Sequence, residues 1–284
     1  MIAAGCVIAM IGFGVRSVFG LFQEPVSLYH GWNREVFSMA LAVQNLLWGL
    51  GVPIAGMIAD RFGPSRVIIG GAIVYAFGIW AMSVAETGTM FVLAAGVLVG
   101  LGVAFTAFSL ALASMVRVVT VERRSFVLGL GTAAGSFGQF VFSPNAQFAI
   151  SLFEWQGALM VLAAASLVMI PLAVLLPAAS PAVDERAHEQ GMRDAIVEAG
   201  RHSGYVLLTL GFFVCGFQIA FITVHFPAFV TGSGFDATVA AWSLALVGVF
   251  NIVGCLLAGV AGQRWSKRYS LSTIYFVRTV LIVA

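Results

Sequence analysis

An arginine stands in the middle of the first long apolar stretch of the sequence, eight residues before a glutamate. These residues are Arg16 and Glu24, in MIAAGCVIAMIGFGVRSVFGLFQEP. A charged side chain at the centre of a bilayer costs at least about 2.5–3.5 kcal/mol, so it needs a water-filled cavity, an anion or a buried carboxylate. Because a guanidinium matches a carboxylate in two parallel hydrogen bonds, Arg16 is predicted to contact an anionic ligand. Two alternatives remain open, a structural pair of Arg16 with Glu24 or a helix carbonyl, and a proton-carrying role for Glu24.

Amides, hydroxyls and a tryptophan interrupt the second and fifth apolar stretches. Gln44 and Trp48 are one helical turn apart and are predicted to share one face as ligand contacts. The fifth stretch carries five polar side chains at helical spacing, which are Thr132, Ser136, Gln139, Ser143 and Gln147. We expect this stripe to line a cavity, with Gln139 and Ser143 binding the ligand. Pairing of the stripe with a neighbouring helix is the alternative.

A histidine and an asparagine lie in two later apolar stretches. His225 is seven residues from Gln218, so the two lie on one helix face. Since histidine titrates near physiological pH, His225 is predicted to bind the ligand or to carry a proton. A structural, hydrogen-bonded histidine is the alternative. Asn251 is predicted to be a further ligand contact.

The apolar stretches lack the residue groups that enzymes and ATP-driven pumps require. They contain no paired carboxylates and no H-E-x-x-H, and the sequence has no G-x-x-x-x-G-K-[ST] phosphate loop. The three cysteines, Cys6, Cys215 and Cys255, are isolated and have no metal-ligand spacing, so they are predicted to pack as small hydrophobic residues. We therefore expect no enzymatic activity, no metal and no cofactor.

The composition places these stretches in a membrane. The chain is 61% hydrophobic and 9% charged, whereas soluble domains carry about a quarter charged residues. Several apolar runs reach the roughly 20 residues that a helix needs to cross a bilayer, and none shows the alternation of a membrane barrel. The chain is therefore predicted to be an all-α polytopic membrane protein. Its predicted helices, eight complete ones and the start of a ninth, are 3–29, 36–59, 66–85, 90–116, 126–149, 157–176, 205–230, 238–262 and 270 onward.

Basic residues predict the orientation. Eleven of the fourteen fall into one set of polar breaks and are Arg61, Arg66, Arg117, Arg123, Arg124, Arg186, Arg193, Arg201, Arg264, Lys267 and Arg268. By the positive-inside rule this set is cytoplasmic, together with the N-terminus, in the cell (inner) membrane. A net charge of +2 is too small to indicate nucleic-acid binding.

One long polar segment, 177–204, follows six predicted helices. It is predicted to be a cytoplasmic loop between an N-terminal six-helix bundle, 1–176, and a partial C-terminal bundle, 205–284. Its part DERAHEQGMRDAIVEAGRH is compatible with a short amphipathic surface helix and with a solvated tether.

A short motif occurs twice, each time between the second and third helix of its half. The copies are GMIADRFGPSR and, 203 residues later, GVAGQRWSKR. Such internal repeats are frequent in membrane transporters. The first copy resembles the G-x-x-x-D-R-x-G-x-x-R signature of the major facilitator superfamily, with matches at Gly56, Asp60, Arg61, Gly63 and Arg66.

This resemblance implies a function for the loop. In the superfamily, the carboxylate and the nearby basic groups form a cytoplasmic charge latch that holds the two halves in the outward-facing state. Asp60 is the implied carboxylate. In the second copy Arg264 matches the arginine, whereas Gln263 replaces the aspartate.

Three longer stretches resemble the monocarboxylate transporter and oxalate/formate antiporter branch. They are LFQEPVSLYHGWNREVFSMALA, ERRSFVLGLGTAAGSFGQ and FFVCGFQIAFITVHFPAFV. The resemblance implies two six-helix bundles, the second truncated in the ninth helix, and substrate binding between them. It implies a secondary active transporter of a small organic anion, by proton symport or anion exchange, with Arg16 on the anion. The expected partners are the substrate and the lipid bilayer, and the protein is expected to be a monomer. An exporter of amphipathic compounds is the alternative, favoured by the abundant Phe and Met.

Overall fold

Helices make up every regular element in the part of the chain that the structure describes. The computed structural model describes residues 1–116, 119–120, 124–176 and 192–283, with the backbone alone for 125–126, 192–196, 259–264, 267 and 281–283. The long helices are α1 (Ile2–His30), α2 (Arg34–Phe62), α3 (Pro64–Ser83), α4 (Gly88–Val116), α5 (124–153), α6 (155–174), α7 (Ser203–Gly232), α8 (Ala237–Arg264) and α9 (Lys267–Val283).

The predicted all-α membrane architecture is confirmed. Seven helical stretches of the described residues are long and apolar enough to cross a membrane, and one of them, Val127–Val174, joins α5 to α6 through a sharp turn at Glu154. Each of the nine predicted segments overlaps one observed helix. Of the two alternatives for the central segment, a short helix forms over Met192–Arg201. The rest of that segment, 177–191, lies outside the described residues.

The first helix differs from the single regular helix that its sequence predicts. An α-helix over Ile2–Ser17 passes into a 3₁₀ turn over Phe19–Phe22 and then into a second α-helical segment over Gln23–His30. The 3₁₀ turn contains Gly20, which contacts α7. Tertiary packing between the two halves therefore coincides with the place where the local helix geometry changes.

The two ends of the bundle differ in chemistry. Arg61, Arg66 and Arg124 are exposed at the end that we name the basic end. At the opposite end, His30 stacks on Trp32 with ring centroids 3.9 Å apart, and Trp155 meets His30 edge-on at 5.6 Å. Aromatic clusters of this kind are typical of membrane–water interfaces.

The turn between α2 and α3 consists of a single glycine. Gly63 has φ 90° and ψ 144°, a conformation that favours glycine, and Pro64 occupies the first position of α3. The Gly63 N–H donates to the Ala59 carbonyl over 2.9 Å. These two residues of the motif therefore reverse the chain direction with a single residue, Gly63, between α2 and α3.

The last turn at the opposite end is fixed by a side-chain cap. Asp236 precedes α8 and accepts a hydrogen bond of 2.7 Å from the Thr238 N–H. Hydrogen bonding to Thr238 holds the pKa of the Asp236 carboxyl below its usual value. A carboxylate at a helix N-terminus also interacts favourably with the helix dipole, so Asp236 defines where α8 begins.

Close glycine contacts hold α1 against α5. A Cβ atom at Gly138 would overlap the carbonyl oxygen of Met10, and one at Gly14 would lie 2.5 Å from the Phe142 ring. Small residues at such positions let membrane helices approach until their backbones touch. This contact fixes the helix that carries Arg16.

Gly138→Val should destabilise the protein, because its side chain would be forced into the α1 backbone. Overpacking a tight contact typically costs about 1–3 kcal/mol, so the thermal unfolding midpoint in detergent should fall. Gly129→Val is the matched control on α5, since a Cβ at Gly129 meets no atom within 4 Å. Equal midpoints for the two variants would contradict the α1–α5 packing.

Candidate functional site

The Arg16 guanidinium is held in place by two side chains of α2. Its Nη2 donates to Asn45 Oδ1 over 2.5 Å, and Asn45 Nδ2 donates to the Leu41 carbonyl over 2.8 Å. The second bond fixes the amide so that its oxygen points at the arginine. The guanidinium carbon also lies 4.2 Å from the centroid of the Trp48 ring, which is a cation–π contact.

This cation has neutral partners. No carboxylate of the described residues forms an ion pair with Arg16, and its Nε is buried without a hydrogen-bond partner there. The predicted alternative of a pair with Glu24 is not formed. A guanidinium has five N–H donors, so most of its capacity for an anion remains available.

Tyr75 of α3 is fully buried, and its hydroxyl has no hydrogen-bond partner among the described residues. Within the described part of the chain, the Arg16 side chain contacts Asn45 and Trp48, both of α2.

A small cavity lies beside Arg16 and is shared by the two halves of the chain. It is lined by Arg16, Ser17, Phe19, Gly20, Leu41, Gln44, Asn45, Thr223 and Val224. Its free volume is about 10 Å³, the room of one water molecule. The Gln44 side chain is 2% exposed, and its Nε2 has no partner in the described part. A carboxylate can therefore enter this site only when the helices around it separate.

A backbone contact between α1 and α7 closes the cavity on one side. A Cβ atom at Gly20 would overlap the Thr223 carbonyl oxygen and would lie 3.1 Å from that of Val224. In an uninterrupted helix the Thr223 carbonyl would accept from the N–H of residue 227, which here is a proline without one. Gly20 and Thr223 are 203 residues apart, the same offset as the two motif copies. The two halves therefore touch at equivalent positions of the repeat.

A second, larger cavity begins on the other side of this contact, towards the end opposite the basic end. We name it the vestibule. It measures about 210 Å³ and is lined by Gly20, Leu21, Glu24, Pro25, Leu28, Gln147, Pro227, Ala228, Thr231, Ala237 and Ala240. Glu24 is the only ionisable residue in this lining. Gly20 borders both cavities, so its contact with α7 separates the vestibule from Arg16.

The polar residues at the middle of α5 contact α8 and do not line the Arg16 cavity. Asn251 Nδ2 donates to Ser136 Oγ over 3.1 Å, and a Cβ at Gly248 would lie 2.7 Å from the Ser136 carbonyl. Gln139 is 2% exposed beside this contact, and the Ser143 hydroxyl donates to the Gln139 carbonyl of its own helix. At Ser136 the stripe therefore pairs with a neighbouring helix, which was the alternative to lining a cavity. Gln147, at the end of the predicted stripe, lines the vestibule.

His225 lies outside both cavity linings. Its side chain is exposed, and its ring centroid is 5.1 Å from that of Phe221. Gln218, predicted to share its face, instead accepts a hydrogen bond from Arg278 of α9. Arg278 is 203 residues after Tyr75.

The predicted latch residues lie at the basic end. Asp60, Arg61 and Arg66 are exposed, and the Arg61 guanidinium lies 5.3 Å from the Phe62 ring centroid. Gly56 faces open space, since a Cβ there would meet no atom within 4 Å. The side chain of Arg264 lies outside the described residues.

One contact of Arg16, Asn45, was not among the predicted site residues. Asn45 is adjacent to the predicted Gln44, and its signal was an amide inside an apolar helix. The described residues also contain no group of three His, Cys, Asp or Glu side chains that could hold a metal.

Comparisons with known proteins agree with this architecture. A family model described as Major Facilitator Superfamily matches residues 4–284. Monocarboxylate transporter 13 of Bos taurus is 29% identical over 259 residues, which cover 88% of this chain and 58% of that protein. Multidrug resistance protein MdtH of Proteus mirabilis is 29% identical over 269 residues, which cover 92% and 62%. The chain thus spans about three fifths of the length of these relatives.

A solved structure extends the agreement to the fold. The partially occluded, inward-open xylose transporter XylE from E. coli superposes with a TM-score of 0.68 over 94% of this chain and 73% of that chain, at 15% identity. At this identity the likeness is one of fold alone. The resemblance drawn from the GMIADRFGPSR motif is therefore confirmed by both sequence and fold. The chain belongs to the major facilitator superfamily, with monocarboxylate transporters among its relatives.

Proposed function

We propose that the protein is a secondary active transporter of a small organic anion, and that Arg16 binds the carboxylate of the substrate. The observation that carries this proposal is a partly buried guanidinium with neutral partners beside a cavity shared by both halves. A membrane-embedded arginine is costly without an anion. A carboxylate would supply that anion and would accept the hydrogen bonds that Asn45 leaves available.

Alternating access follows from the position of the Gly20 contact. Separation of α1 from α7 would join the vestibule to the Arg16 cavity, whereas their contact isolates it. We assign the basic end to the cytoplasm by the positive-inside rule, so the vestibule faces the outside of the cell (inner) membrane. Rocking of the two halves then exposes Arg16 to each side in turn.

Glu24 is our candidate for proton coupling. Apart from Glu154 at the turn between α5 and α6, it is the only Asp or Glu of the described residues that lies more than five residues from both ends of a membrane-crossing stretch. It also lies in the vestibule, on the path that an entering anion takes towards Arg16. A charged carboxylate there repels the anion, and protonation removes the repulsion, so proton and anion entry become linked. His225, the second predicted carrier, remains a candidate in this role.

Export of amphipathic compounds is a second candidate function. A multidrug resistance protein is as similar in sequence to this chain as a monocarboxylate transporter is. In that case Arg16 would be a structural residue, satisfied by Asn45 and Trp48. Dependence of transport on Arg16 separates the two functions.

Arg16→Gln should abolish carboxylate uptake by the complete protein in proteoliposomes. Loss of a hydrogen bond to a charged group costs about 1.5–3 kcal/mol, or roughly ten- to a hundredfold in affinity. Arg16→Lys should keep part of the activity, because it retains the charge but not the planar fork. Arg34→Gln, which removes an exposed charge at the start of α2, is the control. If Arg16→Gln leaves the uptake of every compound in a panel of mono- and dicarboxylates unchanged, the result would favour the exporter.

Glu24→Gln should uncouple anion uptake from the proton gradient. The amide cannot be deprotonated, so an inward proton gradient should no longer accelerate uptake, whereas exchange of internal for external anion should continue. The measurement compares uptake with and without the gradient at equal substrate. Glu35→Gln, at the exposed start of α2, should retain the wild-type response. A gradient response that survives in Glu24→Gln would exclude Glu24 and leave His225 to be tested.

Asp60→Asn should shift the protein away from the outward-facing state, by weakening the proposed latch. Exposed ion pairs are worth about 0.2–1 kcal/mol, so the population ratio should change by at most about fivefold. The readout is labelling of Ala240→Cys, a buried vestibule position, by an impermeant thiol reagent in a chain without its own cysteines. Labelling from outside should slow in Asp60→Asn and not in Glu86→Gln. Unchanged labelling in both would argue against a latch at Asp60.

A further inference from the structure

A row of aromatic rings runs along α7 from the Arg16 cavity towards the basic end. We name Phe213, Phe217 and Phe221 the phenylalanine ladder. Their rings stack in sequence, with centroids 6.4 Å apart between Phe213 and Phe217 and 6.5 Å apart between Phe217 and Phe221. All three side chains are exposed. The ladder is therefore a continuous aromatic surface that other parts of the described chain do not cover.

The ladder continues the face of α7 that meets the other half. Val224, Ala228 and Thr231 follow Phe221 at spacings of three, four and three residues, so all six lie on one stripe of the helix. Val224 lines the Arg16 cavity, and Ala228 and Thr231 line the vestibule. The part of the stripe from Val224 to Thr231 thus lies between the halves. The part from Phe213 to Phe221 extends along the same helix face towards the basic end.

We infer that the phenylalanine ladder contacts the apolar body of the substrate, so that the transported anion is a carboxylate with a planar or aromatic group. This inference rests on the proposed carboxylate transport. A carboxylate held by Arg16 directs the rest of the molecule away from the guanidinium, and Phe221 lies one helical turn from Val224, which lines the Arg16 cavity. Aromatic groups pack well against such rings in offset or edge-on geometry.

The charge pattern agrees with an apolar guest. The stripe from Phe213 to Thr231 contains no charged residue, and His225 beside Phe221 is the ionisable group nearest to it on α7. Arg278 of α9 reaches α7 level with Phe217, but it contacts Gln218 and the Cys215 carbonyl. These two residues lie roughly 100° and 160° around the helix from Phe217 at 100° per residue. Arg268 lies beyond the ladder, at the basic end. An amphipathic anion would therefore meet a positive entrance, an aromatic wall and then the guanidinium.

The test compares two keto acids that differ in a single group. Pyruvate and phenylglyoxylate share the α-keto carboxylate and carry a methyl or a phenyl group. Uptake by the complete protein in proteoliposomes should show a KM for phenylglyoxylate at least threefold below that for pyruvate. Phe217→Ala and Phe213→Ala should raise the KM for phenylglyoxylate about three- to tenfold and leave that for pyruvate unchanged. Phe217→Trp should keep the preference, because it keeps an aromatic face.

Phe229→Ala is the matched control. Phe229 is also on α7 and is 69% exposed, as Phe213 is, but lies roughly 120° around the helix from Phe217 at 100° per residue. If the ladder only faces lipid, Phe217→Ala and Phe229→Ala should behave alike, and the inference is overturned. It is also overturned if the wild type treats both keto acids equally. In either case Arg16-dependent uptake would still support carboxylate transport, whereas the absence of any carboxylate uptake would remove both proposals.

Discussion

The structure depends on one unfavourable placement, a guanidinium inside a bilayer. Arg16 cannot be solvated by lipid, so its surroundings must supply polar contacts. Asn45 and Trp48 of α2 do so, and α2 is itself supported from behind by a π-helical part of α4, Val92–Leu98, where Gly96 packs against Val43 and the Ala40 carbonyl. Three helices of the first half are therefore organised around a single charge. A π-helical segment beside such a centre is common at functional sites.

The contact between the halves is built from backbone atoms. Gly20 presses on the Thr223 carbonyl in α7, and Gly248 of α8 presses on the Ser136 carbonyl in α5. The Gly20 contact has no side chains to interdigitate, so α1 and α7 can separate and close again without changing rotamers. The contact between α5 and α8 also includes the Asn251–Ser136 hydrogen bond. Gly20 and Thr223 occupy equivalent positions of the two halves, at an offset of 203 residues, and a contact that opens without side-chain rearrangement suits a barrier between two cavities.

The sequence alone predicted the helices and the repeated motif and drew attention to Arg16, because each leaves a local signal. Length and apolarity mark a membrane helix, and a charge within it stands out. Helical periodicity, however, tells which residues share a face and not which helix that face meets. The polar stripe of α5 was therefore expected in a cavity, whereas Ser136 pairs with Asn251 of α8. The Gly20 contact and the vestibule depend on residues about two hundred positions apart, which no local pattern reports.

In the proposed function, the neutrality of the arginine's partners would give the site a preference for anions. A carboxylate in the place of Asn45 would also orient Arg16, but it would cancel the charge, and a second anion would then find no net attraction. An amide orients the guanidinium through its oxygen and leaves the positive charge of the arginine uncompensated. Arg278 in the second half is bound in the same way, by the amide of Gln218 and the Cys215 carbonyl. Among the described residues, both arginines within the membrane thus keep their charge, and the low dielectric around them strengthens its effect on any anion that approaches.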